Sequence, residues 1–107
     1  NDSVRNSFGK YLEEFKLKFK LKFTMLSFKE SFNHTNPKFL ENLLSKHPFL
    51  TQTEITICMF LKLNYSSTDI SKNLGVSKAS VDSYRYNIRK KIGLEKKMSL
   101  VSYFNTI

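Results

Sequence analysis

The sequence predicts an all-α protein: a compact helical block preceded by a long N-terminal helix. Three observations carry that expectation. Hydroxyl residues stand just before apolar runs, where their oxygens can accept from free helix N–H groups: Thr51, Ser66 or Ser67, Ser77 and Ser99. Gly75 and Gly93 stand just beyond two such runs, where a left-handed residue is needed and glycine adopts it most cheaply. Between these signals, apolar residues recur every three or four positions, the period of a helix.

Pro37 and Pro48 divide the chain into an arm (1–36), a short helix (about 38–46) and a block (49–107), the first two grouped as an N-terminal helical arm over 1–48. Within the arm, residues Lys16 to Phe23 alternate lysine with leucine or phenylalanine, which is a strand signal. Yet Phe8, Leu12, Phe15, Phe19, Phe23 and Leu26 fall at steps of three and four and form one helical stripe. Leu17, Leu21, Phe28 and Phe32 form a second stripe on nearly the opposite side. After Gly9 the segment to residue 33 has no Gly or Pro and is rich in Lys, Leu, Glu and Phe, which favours a helix, with the strand reading of 8–26 left open. A helix apolar on two faces cannot bury both against one small domain. One face is expected on the block and the other, through Phe15 and Phe19, on a second copy of the chain. The alternatives are an upstream domain covering both faces and, more weakly, a membrane surface. Phe28, Phe32 and Phe39 are expected to form a small core joining arm to block.

The block begins with Thr51-x-x-Glu54, a capping box that opens a helix to about Leu63. Ile55, Met59 and Leu63 are expected to face one way, with Cys58 and Leu61 beside them. Asn64-Tyr65 ends this helix. Ser66 or Ser67 caps a second, about 68–73, presenting Ile70 and Leu74. Ser77 caps a third, about 78–92, with Val81, Tyr84, Ile88 and Ile92 inward. Ser99 starts a last short helix carrying Leu100, Val101, Tyr103 and Phe104.

Composition narrows the function. The chain has 107 residues, with 18 Lys+Arg against 9 Asp+Glu, a net charge of +9 and a pI near 9.7. That charge favours polyanionic partners, nucleic acid before anionic lipid, although a lysine-rich solubilising surface would give the same balance. One cysteine cannot form an internal disulfide, and two histidines with one cysteine make a structural zinc site improbable. Cys58 on an apolar face reads as a buried small residue. Three glycines leave no phosphate-binding glycine loop. No stretch approaches the roughly 18 apolar residues of a membrane span. No grouping of Ser, His, Cys or carboxylates suggests catalysis, a metal or another cofactor. The first residue is not Met, so the chain reads as processed or as a piece of a longer protein.

Helix, short turn with Gly, helix is the spacing of a helix-turn-helix. The third helix of the block then carries an outer face of Lys78, Asp82, Ser83, Arg85, Tyr86, Arg89 and Lys90. This polar, mainly basic face suits the major groove, where side chains can reach base edges while Arg and Lys meet phosphates. A merely solvated helix face is the plainer alternative.

The residues Leu50-Thr51-x-x-Glu54, Asp69-Ile70, Leu74-Gly75-Val76-Ser77, Ser80-Val81 and Asn87-Ile88-x-x-Lys91-Ile92 resemble the LuxR/GerE-type helix-turn-helix domain over about residues 49–105. The aromatic spacing Phe28-x-x-x-Phe32 and Pro37-x-Phe39, with Arg85-Tyr86 before Arg89-Lys90-Lys91, resembles a variant at the C-termini of sensor-regulators of Bacteroidota. The resemblance implies a four-helix DNA-binding domain that acts as a dimer on double-stranded DNA, in the cytoplasm, with the last helix often serving as dimer interface, so that Tyr103 and Phe104 are expected there in preference to the core. An upstream sensor domain on the parent chain, which could be membrane-anchored, is a further expected partner. It places base reading at Asp82, Ser83 and Tyr86, phosphate contact near Ser66, Ser67, Ser77, Lys78, Ser80 and Lys90, and a structural salt bridge between Glu54 and Lys91. Asp82 departs from the family, which is often basic or neutral there; it could accept from cytosine or serve only as a helix-start charge. Ser71 replaces a preferred Ala. The rival expectation is a protein-interaction module, with the helix-turn-helix as scaffold and the aromatic arm as binding surface.

Overall fold

A computed structural model describes the backbone of residues 2–107 and the side chains of residues 9–20 and 22–107. Six helices follow in order: α1 (Asp2–Thr35), α2 (Phe39–Lys46), α3 (Gln52–Lys62), α4 (Ser67–Leu74), α5 (Lys78–Ile92) and α6 (Leu100–Phe104). The described residues contain no strand, so the alternating segment 16–23 is helical. A helix satisfies its N–H and C=O groups within itself, whereas a strand there would need a partner strand.

Local chemistry sets the boundaries. Thr51 Oγ1 accepts from the Glu54 amide (3.2 Å) while Glu54 Oε1 accepts from the Thr51 amide (2.8 Å), a reciprocal cap for α3. Ser66, Ser77 and Ser99 cap α4, α5 and α6 through the amides of Asp69, Ser80 and Ser102. Gly75 (φ 69°) and Gly93 (φ 76°) end α4 and α5 in left-handed conformation.

The core corrects the expectation for α3. Residues Glu54 to Leu61 are buried without a break, so α3 has no solvent face along this stretch and Leu63 is a half-exposed cap. The reason is its central position: α5 and α6 both pack on it, and Phe28 of α1 stacks on Phe60 with centroids 4.2 Å apart. From α1 the aromatic packing continues edge-on, Phe32 to Phe39 (5.4 Å) and Phe39 to Phe104 (5.8 Å). Phe28, Phe32 and Phe39 therefore fasten α1 and α2 to the block.

The two stripes of α1 have different fates. Of the second stripe, Phe32 is buried and Phe28 half-buried against the core, while Leu17 stays exposed. The first stripe is uncovered: Phe15, Phe19 and Phe23 are 66%, 64% and 63% exposed. Phe8 and Leu21 lie outside the residues whose side chains are described. No described helix is long and apolar enough to cross a membrane.

Phe104 needs a second correction. It is fully buried in the chain's own core and has no surface to offer a second copy. Tyr103 is half-buried, and its hydroxyl shares a hydrogen bond with His47 Nε2. This contact ties α6 to the end of α2. A five-residue helix with one side in the core can expose little more.

Candidate nucleic-acid interface

The α4–turn–α5 unit is held by Ile70, Val81 and Ile88, all fully buried. Anchoring α5 along that side fixes what the opposite side presents. At 100° per residue, Ala79, Ser83, Tyr86 and Lys90 lie along the outermost line, and all four are exposed. Tyr86 is 64% exposed, with Lys90 Nζ 6.0 Å from its ring centroid. The line is narrow near the N-terminus of α5 and bulky towards its C-terminus.

One flank of this line carries Lys78, Asp82, Arg85 and Arg89. Lys78 Nζ and Asp82 Oδ2 are 4.0 Å apart with both side chains more than half exposed. Such a pair adds little stability but partly cancels charge at the start of α5. Arg85 donates from Nη1 to Ser67 Oγ (3.0 Å), binding α5 to α4. Arg89 donates from Nη1 to the Met98 carbonyl (2.7 Å) and from Nη2 to the Glu95 carbonyl (3.1 Å). Its guanidinium is therefore engaged with the α5–α6 loop, a correction to the expectation that it simply projects outward. Arg85 is likewise half-buried, although each guanidinium keeps further N–H donors free.

The serines divide by geometry. Ser66 Oγ accepts from a backbone amide and keeps its own O–H to donate. Ser77 and Ser80 share a hydroxyl–hydroxyl bond of 2.9 Å, so one of their protons is used internally. Ser66 and Ser77, as N-caps, stand beside the free N–H groups of two helix N-termini, where an anion is electrostatically favoured.

The other flank was missed by sequence reasoning. Asn87 is exposed and, with Ser80, Ser83 and Tyr84, lines an open depression of about 210 Å³. Its position one turn after Ser83 was the available signal. A second depression of about 340 Å³ is lined by Tyr86, Arg89, Lys90, Leu94 and Lys96. Lys96 comes from the loop that Arg89 grips, and no local pattern announces such a long-range contact.

Behind the face, Lys91 Nζ lies 2.6 Å from Glu54 Oε1. The Glu54 side chain is only 4% exposed. Burial alone would raise its carboxyl, but Lys91 and Thr51 outweigh this and hold its pKa below the ordinary value. Cys58 is fully buried, and burial followed by the nearby Glu54 charge pushes its thiol up to about 12. That is the opposite of a reactive thiolate. Among the described residues no three His, Cys, Asp or Glu side chains are grouped to hold a metal ion.

Comparison with known proteins adds one finding. The profile of a family described as bacterial regulatory proteins, luxR family (GerE), matches residues 48–104. Neither the curated proteins nor the solved structures give a significant match.

Proposed function

The chain belongs to the luxR family of bacterial regulatory proteins, whose domains are DNA-binding regulators of transcription rather than enzymes, and from that premise we propose that it reads a specific duplex sequence through α5. The observation that carries the reading is the exposed line Ala79, Ser83, Tyr86 and Lys90 on a helix whose opposite side is locked in the core. Placed in the major groove, Ser83, Tyr86, Asp82 and the neighbouring Asn87 reach base edges. Lys78, Lys90 and the serines at the starts of α4 and α5 meet phosphates. Arg85 and Arg89 hold the unit's shape and reach phosphate only with their remaining donors. Glu54 and Lys91 act behind the interface, as a brace between α3 and α5.

The protein acts as a dimer in this reading, because one short helix reads few base pairs and two half-sites multiply affinity and specificity. It works where the bacterial chromosome is, in the cytoplasm, as the effector end of a chain whose upstream part senses a signal. The aromatic spacing Phe28, Phe32 and Phe39 supports the Bacteroidota-type sensor-regulator arrangement.

The test is selection from a random duplex pool with the purified chain at two salt concentrations. Enrichment of a two-fold symmetric motif is expected. Binding that enriches nothing and collapses with salt would leave only the +9 charge at work and overturn the reading. The interaction-module alternative, favoured by the uncovered aromatic stripe of α1, would then take its place.

A further inference from the structure

The exposed stripe of α1 has the spacing of a coiled-coil seam. Leu12, Phe15, Phe19, Lys22 and Leu26 follow at steps of three and four, a heptad a-d-a-d-a series. Leu12, Phe15, Phe19 and Leu26 are exposed large hydrophobics, and the side of α1 that packs on the block, at Phe28 and Phe32, lies roughly 150° away around the helix. The seam can therefore take a partner without disturbing the core.

A second observation fits the same partner. Phe19, Lys22, Phe23 and Leu26 line a mostly apolar depression of about 280 Å³ on the helix surface. Residues at i, i+3, i+4 and i+7 form the four-sided hole that receives one side chain of a facing helix in knobs-into-holes packing. The area is also adequate. Three phenylalanines about two-thirds exposed leave roughly 400 Å² of ring surface per chain, so two chains with their leucines approach the roughly 1,000 Å² of a specific interface.

We propose that α1 pairs in parallel with α1 of a second copy through Leu12, Phe15, Phe19, Lys22 and Leu26. The flanking contacts are compatible with that direction. In a parallel pair the g-to-e′ contacts along the free part of α1 join Tyr11 with Lys16 and Lys18 with Phe23, neither of them like-charged, and the one like-charge meeting is Lys22 with Lys22 of the second copy inside the seam. The single polar layer is Lys22, whose aliphatic stem lies in the apolar hole while its ammonium reaches solvent. Parallel pairing puts both DNA-reading units at the same end of the pair, whereas antiparallel pairing would set them at opposite ends of a helix about 50 Å long. This direction rests on the DNA-dimer reading; the seam itself does not.

The test uses the whole 107-residue chain without DNA. Sedimentation should give a dimer, and the double variant Phe15→Glu/Phe19→Glu a monomer with unchanged α2–α6 unfolding, because neither side chain belongs to the core. Lys22→Leu should tighten the dimer by about tenfold, by replacing a charged layer with an apolar one. Under oxidation Lys22→Cys should form a disulfide with itself across the pair, and Lys20→Cys, facing elsewhere, should not. The native Cys58 is buried and does not compete. A monomeric wild type, a dimer that survives the double variant, or crosslinking of Leu12→Cys to Leu26→Cys without Lys22→Cys self-pairing would overturn the proposal. A chain that dimerises in this way but selects no duplex sequence supports the seam and removes only the DNA reading.

Discussion

Arg89 and Lys90 are adjacent and carry the same charge, yet their surroundings give them different work. Arg89 spends two donors on loop carbonyls, whereas Lys90 stands beside the Tyr86 ring at the exposed line of α5. Arg89→Ala should therefore lower stability by about 1 kcal/mol in urea denaturation. Lys90→Ala should leave stability unchanged and lower the salt slope of DNA binding by about one. Tyr86→Ala should relax sequence preference with little change in that slope. Identical effects from all three would refute this division of roles. His47 offers a different handle. Burial and then the Lys46 charge hold its pKa below 6.5, so the folded chain keeps a neutral imidazole against Tyr103. As pH falls below 6.5 the unfolded chain takes up a proton that the folded chain resists, and stability drops. Denaturation midpoints should fall between pH 7.5 and pH 5.5, and His47→Gln should flatten that slope; an unchanged slope in the variant would assign it to other groups.

Among the elements, α3 and α5 pack through the core and are also joined by one part-buried ion pair, Glu54 with Lys91. Lys91→Met leaves the Glu54 carboxylate without its cation and should cost about 2 kcal/mol, the Thr51 hydrogen bonds softening the loss. Adding Glu54→Gln should restore part of it, because a neutral pair needs no counter-charge; a double variant weaker than the single would contradict this. At the end of α5, Gly93 has φ 76° and open space where a Cβ would go. Gly93→Ala should thus cost about 1 kcal/mol from backbone strain alone, measured as a shift in unfolding midpoint. These local devices explain why so many boundaries are legible in the sequence. A cap such as Ser77 or a terminator such as Gly75 acts within four residues and leaves its mark there. The enclosure of α3 is not legible, because it depends on α1, α5 and α6 closing round it from distant parts of the chain. The same holds at the interface. The outward line of α5 follows from helical period and its inward anchors, but the turning of Arg89 towards Glu95 and Met98 depends on a loop path that no short pattern encodes.

Across the whole molecule, shape and charge act together. The chain measures 60 × 29 × 22 Å with a radius of gyration of 17.0 Å, against about 13 Å for a compact domain of this length. The excess is α1. With two copies on DNA and six or more phosphates neutralised, affinity should fall by about a thousandfold between 50 and 200 mM salt. A fall of only a few-fold would mean that the +9 charge is not aimed at the duplex. The uninterrupted course of α1 has a mechanical consequence. From Lys10 to Thr35 it contains neither glycine nor proline, and it enters the block through the tightly held rings of Phe28 and Phe32. Such a helix behaves as a shaft keyed to its load: a twist or thrust applied near its start arrives at those rings without being absorbed on the way. One residue inserted midway would turn everything before it by about 100° relative to the block, whereas a glycine pair at the same place would act as a slipping clutch.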